Sequence, residues 1–256
     1  MTSSVAIVTG ASQGIGRSTA IRLARDFKSI VLVARNRAKL EETAAAVSAE
    51  HATPLVVDLD LSERSSAKAI VERTLSAFGR IDALTNIAGA VPQIDLFEMT
   101  DEQWDSGLAL KLHGARRLTI EAWPALKEAK GSVVFMSGNS ALFPKAPYAA
   151  VGTINAAIVA LAKAFADRGI ADGVQVNSVL PGAVMTGRRR SYLEHWAPLH
   201  NMTVDEATAS FPKEAGIARY GTPEEIAELM AFLVSPAARW MTGSVLRMDG
   251  GEVKSI

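Results

Sequence analysis

The sequence contains no cysteine, which excludes a disulfide framework, thiolate catalysis and cysteine-based zinc sites. Histidine is scarce as well. His51, His113, His195 and His200 show neither an H-E-x-x-H pattern nor another paired ligand spacing, so no metal site is expected. Excess charge of one sign is missing, because 27 Lys and Arg balance 27 Asp and Glu. A neutral chain lacks the electrostatic footprint of a nucleic-acid binder or of a protein drawn to an anionic membrane surface. No Pro/Ser-rich linker, low-complexity tract or charge block interrupts the 256 residues, which favours one domain over two. No apolar run reads as long enough to span a bilayer, and a first strand beginning almost at Met1 leaves no room for a signal peptide. A cytoplasmic protein is the expectation.

What the chain does contain is concentrated at its start. Val5-Ala6-Ile7-Val8-Thr9 reads as a buried strand, Gly10-Ala11-Ser12-Gln13-Gly14-Ile15-Gly16 as a tight turn, and Ser18 to Phe27 as an amphipathic helix. Glycines in such a turn let the backbone approach a pyrophosphate closely, and the helix N-terminus offers free N–H groups and a positive dipole end. The spacing Gly10-x3-Gly14-x-Gly16 differs from G-x-G-x-x-G, but the strand-to-helix context is the one a dinucleotide site requires.

Strands and helices then alternate. Strands are expected at Ile30–Ala34, Leu55–Val57, Ala83–Thr85, Ser132–Met136, Val174–Val179 and Val245–Leu246. Helices are expected over about 38–50, 63–78 and 149–168, with another starting at Pro223 and one opened by Thr100 or Asp101 that fades near Pro124. This order predicts an α/β fold: a single doubly wound Rossmann-type domain over 1–256 with about seven parallel strands and helices on both faces. Its ligand edge should lie at the strands' C-terminal ends.

These residues resemble the short-chain dehydrogenase/reductase family, of the 3-oxoacyl-ACP-reductase-like type, along essentially the whole chain. Thr9 to Gly16 resembles its T-G-x-x-x-G-I-G cofactor turn, and Asn86-Ile87-Ala88-Gly89 its N-N-A-G motif with Ile87 for the second Asn. The stretch Asn177 to Gly182 with Thr186, the segment Arg219 to Ala227, and Thr242-Gly243 with Asp249-Gly250-Gly251 resemble its later signatures. The resemblance implies a cofactor site built from Gly10, Ser12, Gln13, Gly14, Ile15, Gly16, Arg35, Asp58, Leu59, Asn86, Ala88, Gly89, Pro181, Gly182, Val184 and Thr186. Arg35, where an acid would select the ribose 2′-OH, suits a 2′-phosphate instead, so NADP(H) is expected in preference to NAD(H).

The catalytic positions depart from the family. Its Ser, Tyr, Lys and Asn fall, in the register that needs no gap, at Gly138, Val151, Asn155 and Lys111. Lys and Asn have thus traded places. A pairing of Lys111 with Asn155 is expected to supply the positive charge, with Tyr148, Ser137 or Ser140 handling substrate.

The resulting expectation is an NADP(H)-dependent oxidoreductase moving a hydride between nicotinamide and a small carbonyl or alcohol substrate, through a non-standard site. A dinucleotide-binding sensor or scaffold without turnover is the rival, and a dehydration or epimerisation a third reading. Residues 187–215 are expected to form a substrate lid, and its arginines Arg188-Arg189-Arg190 leave an anionic substrate open. Family habit implies a homo-oligomer, dimer or tetramer. Trp196, Phe211 and Trp240 read as lid or interface packing.

Overall fold

The computed structural model describes residues 4–255. Seven strands form one parallel sheet in the order β3-β2-β1-β4-β5-β6-β7. They are β1 (Val5–Thr9), β2 (Ser29–Ala34), β3 (Thr53–Asp58), β4 (Ala83–Asn86), β5 (Ser132–Met136), β6 (Gln175–Pro181) and β7 (Val245–Met248). The central strand β1 is buried along its whole length, and its side chains alternate between two cores. Val5 and Ile7 join Val31, Ile70, Leu118, Phe135 and Ile158 on one face. Ala6 and Val8 join Ile30, Leu32, Leu40, Ile226 and Met230 on the other.

Nine α-helices occur among the described residues: α1 (Gly14–Leu23), α2 (Arg37–Ala49), α3 (Ser66–Phe78), α4 (Asp101–Gly107), α5 (Ala115–Ala129), α6 (Ala149–Asp172), α7 (Gly187–Leu199), α8 (Val204–Ala215) and α9 (Pro223–Val234). A π-helical turn over Leu108–Gly114 joins α4 to α5. The ends carry the expected punctuation. Thr100 caps α4 in a reciprocal box with Gln103, and Thr222 caps α9 with Glu225 while Pro223 takes the first turn.

Three expectations change. Helix α1 starts at Gly14 rather than Ser18, so the last two glycines of the turn already belong to it. Helix α5 does not fade at Pro124 but runs to Ala129. Proline removes one N–H there, yet Leu118, Ala122 and Leu126 are fully buried on the sheet and hold the helix together across the gap. Finally, residues 146–172 form a helix long and apolar enough, by length and composition, to cross a membrane, with an 18-residue stretch of mean hydropathy 1.7. Here the apolar side chains Ile158, Ala162 and Ala166 pack down against the sheet.

Strand β1 leads outward to β2 on one side and β4 on the other, so the chain reverses its winding between β1 and β4. A crevice opens at the C-terminal ends of strands where winding reverses.

Candidate active site

The glycine turn occupies that crevice. Gly10 and Gly14 adopt positive φ of 69° and 54°, a region that favours glycine. A Cβ on Gly16 would lie 2.1 Å from the Gly10 carbonyl oxygen, so helix and turn can close together only without a side chain there. Gln13, at the N-cap of α1, makes no side-chain cap, and the first-turn N–H groups are left to whatever enters the cleft. The hydroxyl of Thr9 accepts the N–H groups of Ile87 (2.8 Å) and Ala88 (3.0 Å), which draws the loop after β4 over the turn.

The cleft so formed holds about 520 Å3. Of the residues expected at a cofactor, Gly10, Ser12, Gln13, Gly14, Ile15, Gly16, Arg35, Leu59, Ala88, Gly89, Pro181, Gly182, Val184 and Thr186 line it. Asp58 and Asn86 do not. Asp58 ends β3 and faces Arg37 at 3.5 Å. Asn86 is buried in β4, where its Nδ2 donates to Thr119 Oγ1 at 3.0 Å. Asp60 takes the lining position instead and approaches Arg35 at 3.5 Å. Burial alone would raise its pKa, but the Ser62 N–H and hydroxyl and the Arg35 charge outweigh burial and hold it below the ordinary value. The two carboxylates of Asp58-Leu59-Asp60 are equivalent on paper; only the end of β3 at Asp58 separates them. Lys39, whose Nζ donates to Gln13 Oε1 at 3.2 Å, also lines the cleft and carried no motif signal.

A second cavity of about 440 Å3 shares Pro181, Gly182 and Val184 with the cleft. Helices α7 and α8 wall it through Arg189, Tyr192, Trp196 and Phe211, and Gly138, Ser140, Tyr148 and Val151 face it from the sheet side. Trp240, by contrast, lies almost fully in solvent.

Asn155 links Lys111, which lines the cleft, to Ser140, which lines the second cavity. Lys111 comes from the π-helical turn, a distortion often found at functional sites. Its Nζ donates to Asn155 Oδ1 in a short contact and to the Ser137 carbonyl at 3.3 Å. A side chain at Gly89 would meet the Lys111 stem at 3.0 Å, so glycine leaves room for it. Burial, and then the nearby Arg188 guanidinium, lower the Lys111 pKa to about 8. Arg188 itself spans the mouth of the cleft, with both terminal nitrogens 3.2 Å from the Gly89 carbonyl.

The other candidates are placed less favourably. The Ser137 hydroxyl donates to the Asn155 carbonyl at 2.8 Å and is buried there. Tyr148, just ahead of α6, lines the second cavity but not the cleft. Burial and then the Glu252 charge push its phenol up, the reverse of activation.

Comparison with known proteins gives a consistent picture. A family profile described as enoyl-(acyl carrier protein) reductase matches residues 10–252. A short-chain reductase protein, NovJ, of Streptomyces niveus is 30% identical over 97% of this chain and 93% of its own. The 3-oxoacyl-[acyl-carrier-protein] reductase FabG of Thermotoga maritima is 27% identical over 97% of each chain. Among solved structures, L-sorbose reductase from Gluconobacter frateurii, complexed with NADPH and L-sorbose, superposes with a TM-score of 0.95 at 29% identity and full coverage of both chains.

Proposed function

The chain belongs to the short-chain dehydrogenase/reductase family, and on that premise we propose that it is an NADP(H)-dependent oxidoreductase acting on a small carbonyl or alcohol with a non-standard set of catalytic side chains. The observation that carries the reading is the Lys111 amine, which lines the cleft and is held there by Asn155 and the Ser137 carbonyl.

The residues fit the cofactor. The positive-φ glycines and the uncapped start of α1 leave backbone donors for a pyrophosphate. Arg35 and Lys39 line the far end of the cleft and supply charge suited to a 2′-phosphate. Bound there, the nicotinamide would supply hydride chemistry. Lys111 would supply charge: two of its three N–H donors are engaged, and the third has no partner among the described residues. A half-buried ammonium lining the cleft favours negative charge developing on a substrate oxygen. Arg189 lines the second cavity without an ion pair among the described residues, its guanidinium 4.4 Å from the Phe211 ring. That supports an anionic group on the substrate, confined to the lid wall because Glu214 and Glu252 line the same space. A lid over 187–215, a dimer or tetramer, and a cytoplasmic location belong to the same reading.

The test is NADPH consumption over ketones, diketones and 3-oxoacyl thioesters. Lys111→Met should lower kcat/KM about 100-fold, the scale of losing one charge-stabilising donor; a variant as active as the natural protein overturns the role of Lys111. The sensor reading draws on Val151 and Gly138, which bring no transferable proton to the second cavity. It predicts tight NADPH binding and no oxidation across the whole panel.

A further inference from the structure

We propose that Ser140 is the catalytic hydroxyl that meets the substrate's carbonyl oxygen, its hydrogen turned into the cavity by Lys111 acting through Asn155. The proposal rests on the reading above for the class of ligand, a ketone or the corresponding alcohol.

An ammonium has three donors and no acceptor. The Asn155 carboxamide must therefore present its oxygen to Lys111, as it does. Its NH2 is then forced to the opposite side, where Nδ2 donates to Ser140 Oγ at 2.8 Å. A hydroxyl that accepts this bond keeps its single hydrogen for another acceptor, and among the described residues Ser140 Oγ has none. Ser140 lines the second cavity. One cation in the cleft thus fixes the polarity of a donor in the neighbouring space.

Gly138 belongs to the same device. A Cβ at Gly138 would come within 2.8 Å of Asn155 Nδ2, the atom that holds Ser140. Glycine there permits the carboxamide to reach across. Ser137 cannot take the role, since its hydrogen is spent on the Asn155 carbonyl. Asn155 is a positioning residue here, and Ser140 donates a hydrogen bond without transferring its proton. Such a donor stabilises charge as it develops on the carbonyl oxygen.

The test follows the carbonyl stretch of acetophenone, a ketone suited to a cavity lined by Phe143, Tyr192 and Phe211, bound to the full-length protein saturated with NADP+. Ser140→Ala should move the bound band to higher frequency, and Ser140→Thr should keep it in place. Asn155→Asp should reproduce the alanine shift although Ser140 is intact, because a carboxylate only accepts and would claim the serine hydrogen. Tyr148→Phe should leave the band unmoved. A band indifferent to Ser140→Ala and Asn155→Asp, a band moved by Tyr148→Phe, or no bound band at all overturns the assignment. The readout needs no turnover. A protein that binds the ketone with this signature yet never oxidises NADPH refutes the oxidoreductase reading and leaves Ser140 as the donor.

Discussion

Two glycines summarise two different ways of specifying a site. A side chain on Gly16 would strike the backbone of Gly10 at 2.1 Å, whereas one on Gly138 would strike the side chain of Asn155 at 2.8 Å. Backbone that closes a turn between strand and helix has nowhere to go. A carboxamide can rotate, or be replaced along with its neighbours. The proposed dinucleotide half therefore turns on positions such as Gly16 that admit glycine alone. The proposed substrate half rests on Lys111, Gly138, Ser140 and Asn155, whose contacts constrain one another.

The largest expected effect breaks the first half. Gly16→Ala should cost about 3 kcal/mol, at the upper end of overpacking penalties, and abolish NADPH binding. Gly138→Ala should leave NADPH binding intact and disturb only the Asn155–Ser140 contact. Thermal melts and NADPH titrations of the two variants check the contrast; equal losses would erase it. A smaller effect sharpens the cofactor half. Arg35 is mostly exposed and shares its charge with Asp60, so its contact with a 2′-phosphate is discounted to about 1 kcal/mol. Arg35→Ala should weaken NADPH about fivefold and leave NADH unchanged, as read by paired fluorescence titrations.

The smallest effect crosses from one half to the other. Lys111 titrates near 8, below the free-lysine range, because of burial and then Arg188. Between about 8 and that range the unfolded chain binds more protons than the folded one, so the lysine's contribution to stability rises with pH. If the ammonium form is the active one, kcat/KM should fall above about pH 8. Arg188→Ala removes a repelling charge and should move this alkaline limb slightly upward; a pH profile that stays fixed or moves downward would uncouple the lid from the lysine.

This division also explains what could be read in advance. Gly10, Gly14 and Gly16 were legible because their conformations are a property of the turn and leave a spacing in the chain. The sheet order followed from alternating strands and helices. Lys111 facing Asn155 could be anticipated only as an exchange between two positions far apart in sequence. The direction of the network could not, because it depends on which end of a carboxamide faces which neighbour. Asp60 rather than Asp58, and Thr119 as the partner of Asn86, were settled by where a strand stops and which way a helix faces. Neither has a local pattern. Pro124 misled for a related reason: its local cost is real, but burial three-dimensionally distant in the chain outweighs it.

The cover over α1 carries a consequence for how the protein is made. Helix α9 packs on α1, with Ser18 bonded to Glu224 and Arg22 to Glu228 across 206 residues of chain. Ala20 and Leu23 meet Ile226, Met230 and Leu233 in the same core. During synthesis the side of α1 that α9 covers stays open until residues 223–234 arrive. The helix behind the glycine turn is thus sealed late, and the nascent chain presents an open apolar face until then. A lesion near the C-terminus would touch none of the glycines, yet it would leave their supporting helix uncovered.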